Sequence, residues 1–540
     1  MTKQSKKGSC KKILILDAGE APYSLVAARS LGSAGHIVDL GFPCGSHFFD
    51  AYSRYCSGYL FYPDPTYAKN DFITFLKTLA GKYDFIIPTM EKTQLAISAD
   101  KEYFEKKGTI LPIPNHELLS TMANKEKVLE ICNKNGIALP KTMILTKAPE
   151  LKEVIKEIGL PFIMKASTEI NIPAGPGNRY FVIKHEITQN DFLTKFKQIA
   201  QFRPVILQQY VKGVGIGASF IFARDHSLLA LFGHRRILER FPEGGPSVIA
   251  ETYFHPDAII QGFRLMRALN WQGVAMTEFK LGSDGKLYFM EVNPRFWGTL
   301  PLAIASGLDF PKILVERYDS RKRDLTPLPV AKKKMFVHSV VLPYLFLSSM
   351  KARNFHFAKE ISFSSLKIFS HGFPFLVDFE KLDLLPEIKQ VVNSFYAIAL
   401  KGKITNIGNI FFGPTLPYKE ILRRHIATVI DLREGLEKTN TTINSKIKYY
   451  NFPIKDDSAP DIKSFFSIIS TIDQIIKKEP VYIHCKLGRG RTPMVVIAYL
   501  ISKNVPLNEA YSLVYAARPY AYLNSAQKEA IYSFYKNYCN

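Results

Sequence analysis

Short apolar runs alternate with helical patterns in the first part of the chain. The stretch KILILDAGEAPYSLVAARSLGSAGHIVDLG, residues 12–41, predicts a strand, a turn, a helix and a second strand, and YDFIIPTMEK predicts a further buried strand. This alternation is typical of an open, mainly parallel α/β layer. The turn at residues 17–22 lacks the G-x-G-x-x-G pattern, so we interpret it as a structural turn.

The pattern changes twice further along the chain. Residues 121–330 mix α and β signals, and two of their apolar strands, GVAMTEFKLG and KLYFMEVN, carry carboxylates. A polar run, DSRKRDLTPLPVAKKK, then opens a segment rich in Phe, Leu and Ser, and a new α/β pattern begins near residue 405. We therefore expect an α/β and α+β multidomain protein. The predicted divisions are residues 1–120, 121–325, 326–404 (a linker and connecting subdomain) and 405–540.

Charge and cysteine content narrow the choice of partners. A net charge of +23 and a pI near 9.5 favour anionic partners. No helix-turn-helix, zinc-finger or RNA-binding signature accompanies the charge, so we expect no nucleic-acid partner. The six cysteines form no C-x-x-C pair, which argues against a zinc site or a disulfide framework and favours a reducing, cytoplasmic location.

Two segments bear on membrane contact. The basic start MTKQSKKGSCKK is followed by too short an apolar run for a signal peptide. Residues 335–350 are apolar but include His338 and Pro343, and they fall short of the roughly 20 residues that a spanning helix needs. We expect no transmembrane helix. A buried or membrane-surface position for this segment leaves peripheral membrane contact open.

One cysteine lies between a predicted strand and a predicted helix, in VYIHCKLGRGRT, residues 481–492. The amides of such a loop and the dipole of the helix favour the thiolate of Cys485, and the same amides can hold a phosphate dianion. Gly488 and Gly490 let the backbone close around the phosphate. Arg491 can bind two phosphate oxygens and stabilise the charge that develops during transfer.

Two neighbours complete this constellation. Thr492 is placed to hydrogen-bond the sulfur and help it leave, and His484 would orient the loop. The pattern HC-x5-RT is the signature of the protein tyrosine phosphatase superfamily, and the chain resembles that superfamily over about residues 405–540. The resemblance is to the dual-specificity branch, since a Trp-Pro-Asp loop is absent and the domain is small.

A phosphatase of this kind needs a general acid for the leaving oxygen. The segment FPIKDDSAP, residues 452–460, resembles the family's Pro-Ile-x-Asp loop. The resemblance implies Asp456 as the acid, with Asp457 as the alternative. The stretch from Asp431 to Arg433 matches a part of the family that is structural.

The loop residues also bear on the substrate. Lys486 and Arg489 add two positive charges, and Leu487 completes the loop residues expected around the phosphate. The loop HCKLGRGRT resembles that of lipid phosphatases, and the tail ARPYAYLNSAQKEAIYSFY is similar to that of phosphatidylglycerophosphate phosphatases. The expected substrate is a phosphomonoester, either a phosphoprotein or a phospholipid or other small anionic phosphate.

A second set of polar residues is spread over the middle of the chain. Glu291 and Asn293 point to the same face of one predicted strand, and Glu278 lies on a neighbouring strand. Together these side chains could hold Mg²⁺ through oxygen ligands. Lys125 and Lys165, from two other elements, would neutralise the phosphates that the metal bridges.

The order of these residues resembles the ATP-grasp superfamily over roughly residues 12–325, and in particular the branch of the carbamoyl phosphate synthetase large subunit. The resemblance implies a Rossmann-like pre-ATP-grasp layer and two lobes that grip ATP. It implies phosphate binding by Lys125 and Lys165, adenine binding by Gln208, Gln209, Tyr210 and Val211, Mg²⁺ or Mn²⁺ binding by Glu278, Glu291 and Asn293, contact with the transferring phosphate by Arg295, and binding of an anionic substrate by Arg235 and Arg236.

Two features depart from the superfamily. The adenine-side hinge has Gln where many members have Glu, and the phosphate-covering loop near residues 174–177 does not clearly match. The resemblances together predict a bifunctional enzyme. Its ATP-grasp ligase would activate a small carboxylate as an acylphosphate for attack by an amine or thiol, and its phosphatase would work through Cys485. Two alternatives stay open: an ATP-grasp kinase opposed by its own phosphatase, and a non-catalytic nucleotide-binding module that regulates the phosphatase.

Overall fold

A computed structural model of the chain describes residues 9–167, 180–185, 187–201, 204–242, 244–319, 335–337, 341–351, 354–366, 375–376, 383, 385–386, 388, 404–434 and 447–539. The chain divides into two compact units. Unit 1 holds residues 1–15, 22–38 and 80–383, and unit 2 holds residues 16–21, 39–79 and 384–540. Residues 39–79 group with the C-terminal part of the chain in unit 2, and the predicted domain boundaries stay a prediction.

The N-terminal elements alternate strands and helices as the apolar pattern predicts. Strand β1 pairs in parallel with β4, and β2 pairs in parallel with β3. Residues 13–15 of β1 are fully buried, which explains their unbroken apolar sequence. The elements are β1 (Lys12–Ile15), α1 (Pro22–Ser33), β2 (Ile37–Pro43), a 3₁₀ turn (Phe49–Tyr52), β3 (Gly58–Tyr62), α2 (Lys69–Lys77), β4 (Phe85–Ile87), α3 (Glu91–Ser98), α4 (Lys101–Lys106) and α5 (His116–Met122).

A small antiparallel sheet follows in unit 1. Its strand order is β5-β8-β6-β7, and helices pack a core of aromatic and aliphatic side chains, chiefly Phe, Ile, Leu and Val, against it. The elements are α6 (Lys125–Lys134), β5 (Thr142–Leu145), α7 (Leu151–Glu157), β6 (Phe162–Ala166), β7 (Tyr180–Ile183), α8 (Gln189–Ala200) and β8 (Val205–Gln209).

A larger sheet completes unit 1. Among the described residues it has seven strands in the order β13-β12-β9-β10-β11-β14-β15. Strand β14 pairs with β11, so residues 335–337 belong to this sheet. The elements are β9 (Gly213–Phe222), β10 (Leu228–Phe241), β11 (Gly244–Thr252), α9 (Pro256–Ala268), β12 (Gly273–Gly282), β13 (Leu287–Asn293), α10 (Leu300–Ala305), α11 (Phe310–Arg317), β14 (Met335–Val337), α12 (Val341–Lys351), α13 (Phe355–Leu366) and β15 (Phe375–Leu376).

The C-terminal sheet lies in unit 2 and has the order β16-β17-β20-β18-β19. The pairings among β17, β20, β18 and β19 are parallel, and every residue of helix α16 is buried. The elements are β16 (Thr405–Ile407), β17 (Ile410–Gly413), α14 (Tyr418–Leu422), β18 (Thr428–Arg433), β19 (Lys448–Ile454), α15 (Ile462–Ile476), β20 (Val481–His484), α16 (Arg491–Ile501), α17 (Leu507–Ala517) and α18 (Ser525–Cys539). The structure confirms the predicted mixture of α/β and α+β layers. Within the described residues, no helix is both long enough and apolar enough to cross a membrane.

Candidate active sites

The nucleophile candidate lies at the carboxyl end of a central parallel strand. Strand β20 ends at His484, Cys485 follows it, and helix α16 begins six residues later at Arg491. The Cys485 side chain is 3% exposed, and the N–H of Gly488 donates to its Sγ at 3.2 Å. The loop therefore curls so that a backbone amide points at the sulfur, as a phosphate-binding loop requires.

The loop is held from behind by an arginine that the sequence reasoning missed. Arg518 is 1% exposed, and its guanidinium donates to the carbonyl oxygens of Gly488 at 2.5 Å and Leu487 at 3.3 Å. With its carbonyls bound on that side, the loop can turn its amides toward the phosphate. Gly488 has φ +66°, and a Cβ there would lie 2.4 Å from the carbonyl group of Gly413. Only glycine fits at this position.

The predicted acid and the predicted phosphate-binding arginine are in contact. Arg491 is 5% exposed, and its Nη2 lies 2.7 Å from Asp456 Oδ1, while its Nη1 donates to the carbonyl of Ile454 at 2.8 Å. The Asp456 side chain is 70% exposed, so it can reorient toward a bound substrate. Asp457 lines the same cavity as Asp456, Arg491 and Cys485.

The segment that carries the acid is anchored by two polar residues near the start of α18. Asn524 Nδ2 donates to the carbonyl of Asp457 at 2.7 Å, and Gln527 Nε2 donates to the carbonyl of Ser458 at 3.2 Å. Both amides also line the cavity. Sequence reasoning did not find them, although they lie in the tail whose similarity to phosphatidylglycerophosphate phosphatases had been noted.

Behind the loop lies a buried histidine–carboxylate pair. His484 Nδ1 is 3.6 Å from Asp431 Oδ1, and both side chains are buried. Burial lowers the pKa of His484, although the neighbouring Asp431 opposes that shift. Burial would raise the pKa of Asp431, but the hydrogen bonds from Arg433 and the charge of His484 outweigh it, and the pKa is lowered. Asp431 also accepts a hydrogen bond from Tyr449.

Thr492, predicted to hydrogen-bond the sulfur, is fully buried. Its Oγ1 makes no hydrogen bond to any of the residues that the structure describes. Its assigned role in helping the sulfur to leave therefore stays a prediction.

Cys485, Arg491 and Asp456 line one cavity of about 530 Å³. Lys486 and Leu487 are exposed at its lining, and Arg489 is half-buried there. The loop thus presents further positive charge beyond Arg491, which suits a substrate with more than one negative group. The lining residues are His47, Phe49, Asp456, Asp457, Cys485, Lys486, Leu487, Arg489, Gly490, Arg491, Tyr522, Asn524 and Gln527.

A second cluster lies on the large sheet of unit 1. Glu278 on β12 is paired directly with Glu291 on β13, and Asn293 Nδ2 donates to the two carboxylates at 3.2 and 3.1 Å. Burial raises the pKa of Glu278 above its ordinary value, and the charges of Glu291 and Glu239 add to that shift against the effect of Arg236. The three predicted metal ligands are therefore brought together.

Arginines balance this negative charge. Arg236 Nη2 lies 2.5 Å from Glu278 Oε2, and Arg295 Nη2 donates to Asn293 Oδ1 at 2.7 Å. Burial lowers the pKa of Arg236, but Glu278 and Glu239 outweigh burial and raise it. Arg235 alternates with Arg236 along β10 and is bound instead to Glu251. The two arginines predicted to bind one anion thus face opposite sides of the sheet.

The predicted phosphate-binding lysines line a cleft next to the carboxylates. Lys125 begins α6 and Lys165 lies on β6, and both border the cleft that Glu291 and Asn293 line. Lys165 Nζ donates to Gln208 Oε1 at 2.8 Å.

The remaining predicted adenine-binding residues continue from Gln208 along the chain. Gln209 accepts from the N–H of Lys141, Tyr210 donates through its N–H to the carbonyl of Pro161, and Val211 is buried. The expected phosphate-covering loop at residues 174–177 lies outside the described residues.

Two family models match the chain. Residues 416–537 match the family described as dual specificity phosphatase, catalytic domain. Residues 228–340 match the family described as ATP-grasp in the biosynthetic pathway with Ter operon. The chain therefore joins an ATP-grasp domain to a dual specificity phosphatase domain.

Individual relatives resemble one domain or the other. The carbamoyl phosphate synthase large chain of Clostridium acetobutylicum is 27% identical over 232 residues, which is 41% of this chain and 21% of that protein. For the phosphatase domain, the phosphatidylglycerophosphate phosphatase PTPMT1 of Arabidopsis thaliana is 46% identical over 55 residues, 10% of this chain and 16% of that protein. The dual specificity protein phosphatase OPG106 of Vaccinia virus (strain Western Reserve) is 38% identical over 68 residues, 12% of this chain and 39% of that protein. The chain thus spans well under half the length of each relative.

Proposed function

We propose that the phosphatase domain hydrolyses a phosphomonoester through a phosphocysteine at Cys485. The observation that carries the proposal is the single cavity in which Cys485, Arg491 and Asp456 meet. Cys485 Sγ attacks phosphorus, the bond to the leaving oxygen breaks, and Asp456 gives that oxygen its proton. A water then attacks the phosphocysteine with Asp456 as base, which releases phosphate and restores the thiolate.

The contact between Asp456 and Arg491 fits this cycle. A bound phosphate dianion would accept two hydrogen bonds from the guanidinium of Arg491. Asp456, which is largely exposed on its loop, would then be released to meet the leaving oxygen. The ion pair thus holds the acid close to its place until the substrate arrives.

The charges around the cavity favour a substrate with a further anionic group close to its phosphomonoester. Lys486 and Arg489 line the cavity in addition to Arg491. The relative named for phosphatidylglycerophosphate, a phosphomonoester that also carries a phosphodiester, supports the same class. A phosphoprotein substrate is the competing class, and it is supported by the relative named as a protein phosphatase.

Phosphate release from the full-length protein tests this proposal. The probes are vesicles containing phosphatidylglycerophosphate, glycerol 3-phosphate and a phosphotyrosine peptide, each with the wild type and with Cys485→Ser. We expect release that depends on Cys485, with the highest kcat/KM for the phosphatidylglycerophosphate. Preference for the peptide would overturn the substrate class, and release that persists in Cys485→Ser would overturn the mechanism.

We infer that the ATP-grasp domain uses ATP with Mg²⁺ or Mn²⁺ to activate a small carboxylate for attack by an amine or thiol. The donor set fits a hard cation, because two carboxylates and one amide converge beside a cleft lined by two lysines. Glu278, Glu291 and Asn293 would hold the metal, although no group of three or more His, Cys, Asp or Glu side chains suited to a metal occurs among the described residues. The metal would neutralise the charge of the β- and γ-phosphates.

The chain's own cations complete this site. Lys125 and Lys165 would hold the phosphates from the other side of the cleft, and Arg295 would face the phosphate that is transferred. Arg236 contacts the carboxylate of Glu278, which would also bind the metal. We therefore expect the Arg236 guanidinium to shift toward its other partner, Glu239, when a metal binds.

Product analysis tests the ATP-grasp reaction. Cys485→Ser is incubated with MgATP and a metabolite and lipid extract, and new masses are followed by mass spectrometry, with the additional variant Glu291→Gln as the control. A condensation product that Glu291→Gln does not form would support the ligase. A mass gain of one phosphate would identify a kinase instead, and the absence of any ATP-dependent product would favour a regulatory nucleotide-binding module.

A further inference from the structure

Two consecutive helices of unit 1 form a hairpin on the large sheet. Helices α12 and α13 pack against each other, and the N–H of Asn354, in the connection between them, donates to the carbonyl of Ser349 at 2.9 Å. Leu345 of α12 and both Phe357 and Ile361 of α13 join a buried cluster with residues of β10, β11 and β14. Apolar packing therefore fixes one side of the hairpin to the sheet.

The exposed side of α12 is apolar too. Phe346, Leu347 and Met350 are exposed, and the most accessible of them, Leu347, is 67% exposed. These three are all of the exposed side chains that the structure describes on this helix. A helix on the surface of a water-soluble domain normally carries polar residues on its outer side. Helix α12 instead presents apolar side chains both to the core and to the outside.

Helix α13 adds two exposed phenylalanines. Phe355 begins the helix and is 60% exposed, and Phe363 is exposed two turns later. Lys359 lies midway between them, and its Nζ is 5.7 Å from the centre of the Phe363 ring. Residues spaced four apart share one face of a helix, so this face combines apolar rings with a positive charge. The exposed apolar side chains of the two helices, which we name the hairpin face, are Phe346, Leu347, Met350, Phe355 and Phe363.

Four serine hydroxyls of the hairpin are already hydrogen-bonded within its helices. Ser348 and Ser349 donate to the carbonyl of Leu345 at 2.9 and 2.7 Å. Ser362 and Ser365 donate to the carbonyls one turn earlier at 3.1 and 2.7 Å. A polar group that has its partner costs little free energy when the surface around it loses contact with water. These serines therefore do not oppose burial of the hairpin face.

The sequence around the hairpin is strongly basic. The run RKRDLTPLPVAKKK, residues 321–334, holds six basic residues and one acidic residue. Residues 335–366 add three basic residues and one acidic residue, Glu360. Apolar side chains combined with positive charge complement a surface that is anionic on the outside and apolar beneath. A membrane with anionic lipids has this arrangement.

We propose that the hairpin face docks the protein on a membrane that contains anionic lipids. Its apolar side chains would enter the boundary between the head groups and the acyl chains, and Lys359 would stay among the head groups. The helices would lie on the membrane, because α12 has 11 residues and α13 has 12, fewer than the roughly 20 that a spanning helix needs. The inference depends on neither proposed activity, so it can hold or fail independently of them.

Vesicle flotation of the full-length protein tests the inference. One set of vesicles is phosphatidylcholine alone, and the other is an equimolar mixture with phosphatidylserine, an anionic lipid that has no phosphomonoester for the phosphatase site. We expect flotation with the mixed vesicles that decreases as salt is added, and much weaker flotation with phosphatidylcholine alone. Equal flotation with both sets, or flotation with neither, would overturn the inference.

Single substitutions locate the surface. Leu347→Gln and Phe355→Gln should each weaken binding to the mixed vesicles about tenfold or more, because an apolar side chain of this size contributes at least that factor when it is buried. Lys359→Gln should weaken it about fivefold, the factor for one charge near an anionic surface. These side chains are exposed, so the urea midpoints should not change.

Ile260→Gln is the matched control, because Ile260 is an exposed apolar residue of α9, another helix of unit 1. It should bind the mixed vesicles as the wild type does. Wild-type binding by both Leu347→Gln and Phe355→Gln would overturn the inference. An equal loss in Ile260→Gln would do the same, because the contact would then not be confined to the hairpin.

A second copy of the protein is the competing occupant of the hairpin face. Sedimentation equilibrium without lipid compares the mass of the wild type with that of Leu347→Gln. We expect the same mass for both. A wild-type oligomer that Leu347→Gln dissociates would identify the face as an interface between copies and would overturn membrane docking.

Discussion

At the scale of single residues, the two neighbouring carboxylates of the acid loop have different surroundings. Asp456 contacts Arg491, whereas Asp457 has a positive φ of 55° and its carbonyl is bound by Asn524. We expect Asp456→Asn to lower kcat for glycerol 3-phosphate about 10²- to 10⁴-fold, because its alkoxide leaves poorly without a proton. Steady-state kinetics would check this against Asp457→Asn, for which we expect a change of less than about tenfold. A larger effect of Asp457→Asn would reverse the assignment.

Arg518 is the second residue whose role the geometry defines. Arg518→Met would leave the carbonyls of Gly488 and Leu487 without their charged donor. We expect the free energy of unfolding to fall by about 1.5–3 kcal/mol, the range for hydrogen bonds to a charged group.

We also expect Arg518→Met to weaken vanadate inhibition, because the loop amides would no longer be held toward the oxyanion. Urea denaturation and vanadate titration measure the two effects, with exposed Arg423→Met as the control. Unchanged vanadate affinity would show that Arg518 only stabilises the fold and does not orient the loop amides.

At the scale of elements, the pairing of the long antiparallel strands β9 and β10 requires a glycine opposite a histidine. His234 on β10 is paired with Gly217 on β9, and a Cβ at Gly217 would lie 2.1 Å from the imidazole ring. The glycine thus provides the space in which His234 is buried, and Thr299 is within hydrogen-bond distance of its Nε2 at 3.3 Å. Burial, and then the charge of Arg236, lower the pKa of His234 to about 3.

This burial predicts a pH dependence of the ATP-grasp half. In the unfolded chain His234 has a pKa near 6.5, whereas in the folded chain its pKa is about 3. The folded state therefore has its full stability, as far as His234 is concerned, above about pH 6.5. That contribution is lost as the pH falls toward 3, by about 1.4 kcal/mol per pH unit. Both tryptophans, Trp271 and Trp297, lie in unit 1, so their fluorescence reports its unfolding.

We expect His234→Gln to flatten the fall in urea midpoint between pH 7 and pH 5. Exposed His356→Gln is the matched control and should show the wild-type slope. If both variants keep that slope, His234 does not cause the pH dependence.

At the scale of the whole molecule, unit 2 is built from segments far apart in the sequence. The N–H of Asp64 donates to Tyr532 Oη at 2.6 Å, and the rings of Tyr67 and Tyr532 stack with centroids 5.0 Å apart. Both partners of Tyr532 come from the N-terminal segment, whereas Tyr532 lies in the C-terminal helix. The phosphatase domain and residues 39–79 should therefore open together.

Hydrogen exchange tests this coupling. Tyr532→Phe removes the acceptor for Asp64, and we expect a loss of about 1–3 kcal/mol that appears both in residues 58–72 and in α18. Tyr538→Phe in the same helix is the control, because Tyr538 is 40% exposed and bonds only a neighbouring carbonyl, that of Ser502, among the described residues. Faster exchange in α18 alone would show that the two segments unfold independently.

Much of this architecture follows from local pattern. The apolar runs at β1, β4 and β20 were predicted from sequence, because a buried strand needs an apolar side chain at nearly every position. Cys485 and Arg491 were found because a phosphate loop fixes their spacing within one short segment. Glu278 and Glu291 were grouped because the two strands that carry them are consecutive in the chain and could be expected to lie side by side.

What local pattern left open depends on register and on contacts between distant segments. Arg235 and Arg236 are adjacent on β10, so they lie on opposite faces of the sheet, and only Arg236 contacts Glu278. Which of the two reaches the carboxylates depends on the strand register, and the sequence alone does not specify that register or the strands that pair with β10. Arg518 looks like any arginine until its side chain is buried behind the loop. His47 and Phe49 belong by sequence to one domain and by packing to another, because a cavity wall is made by whatever side chains the folded chain brings to the same place.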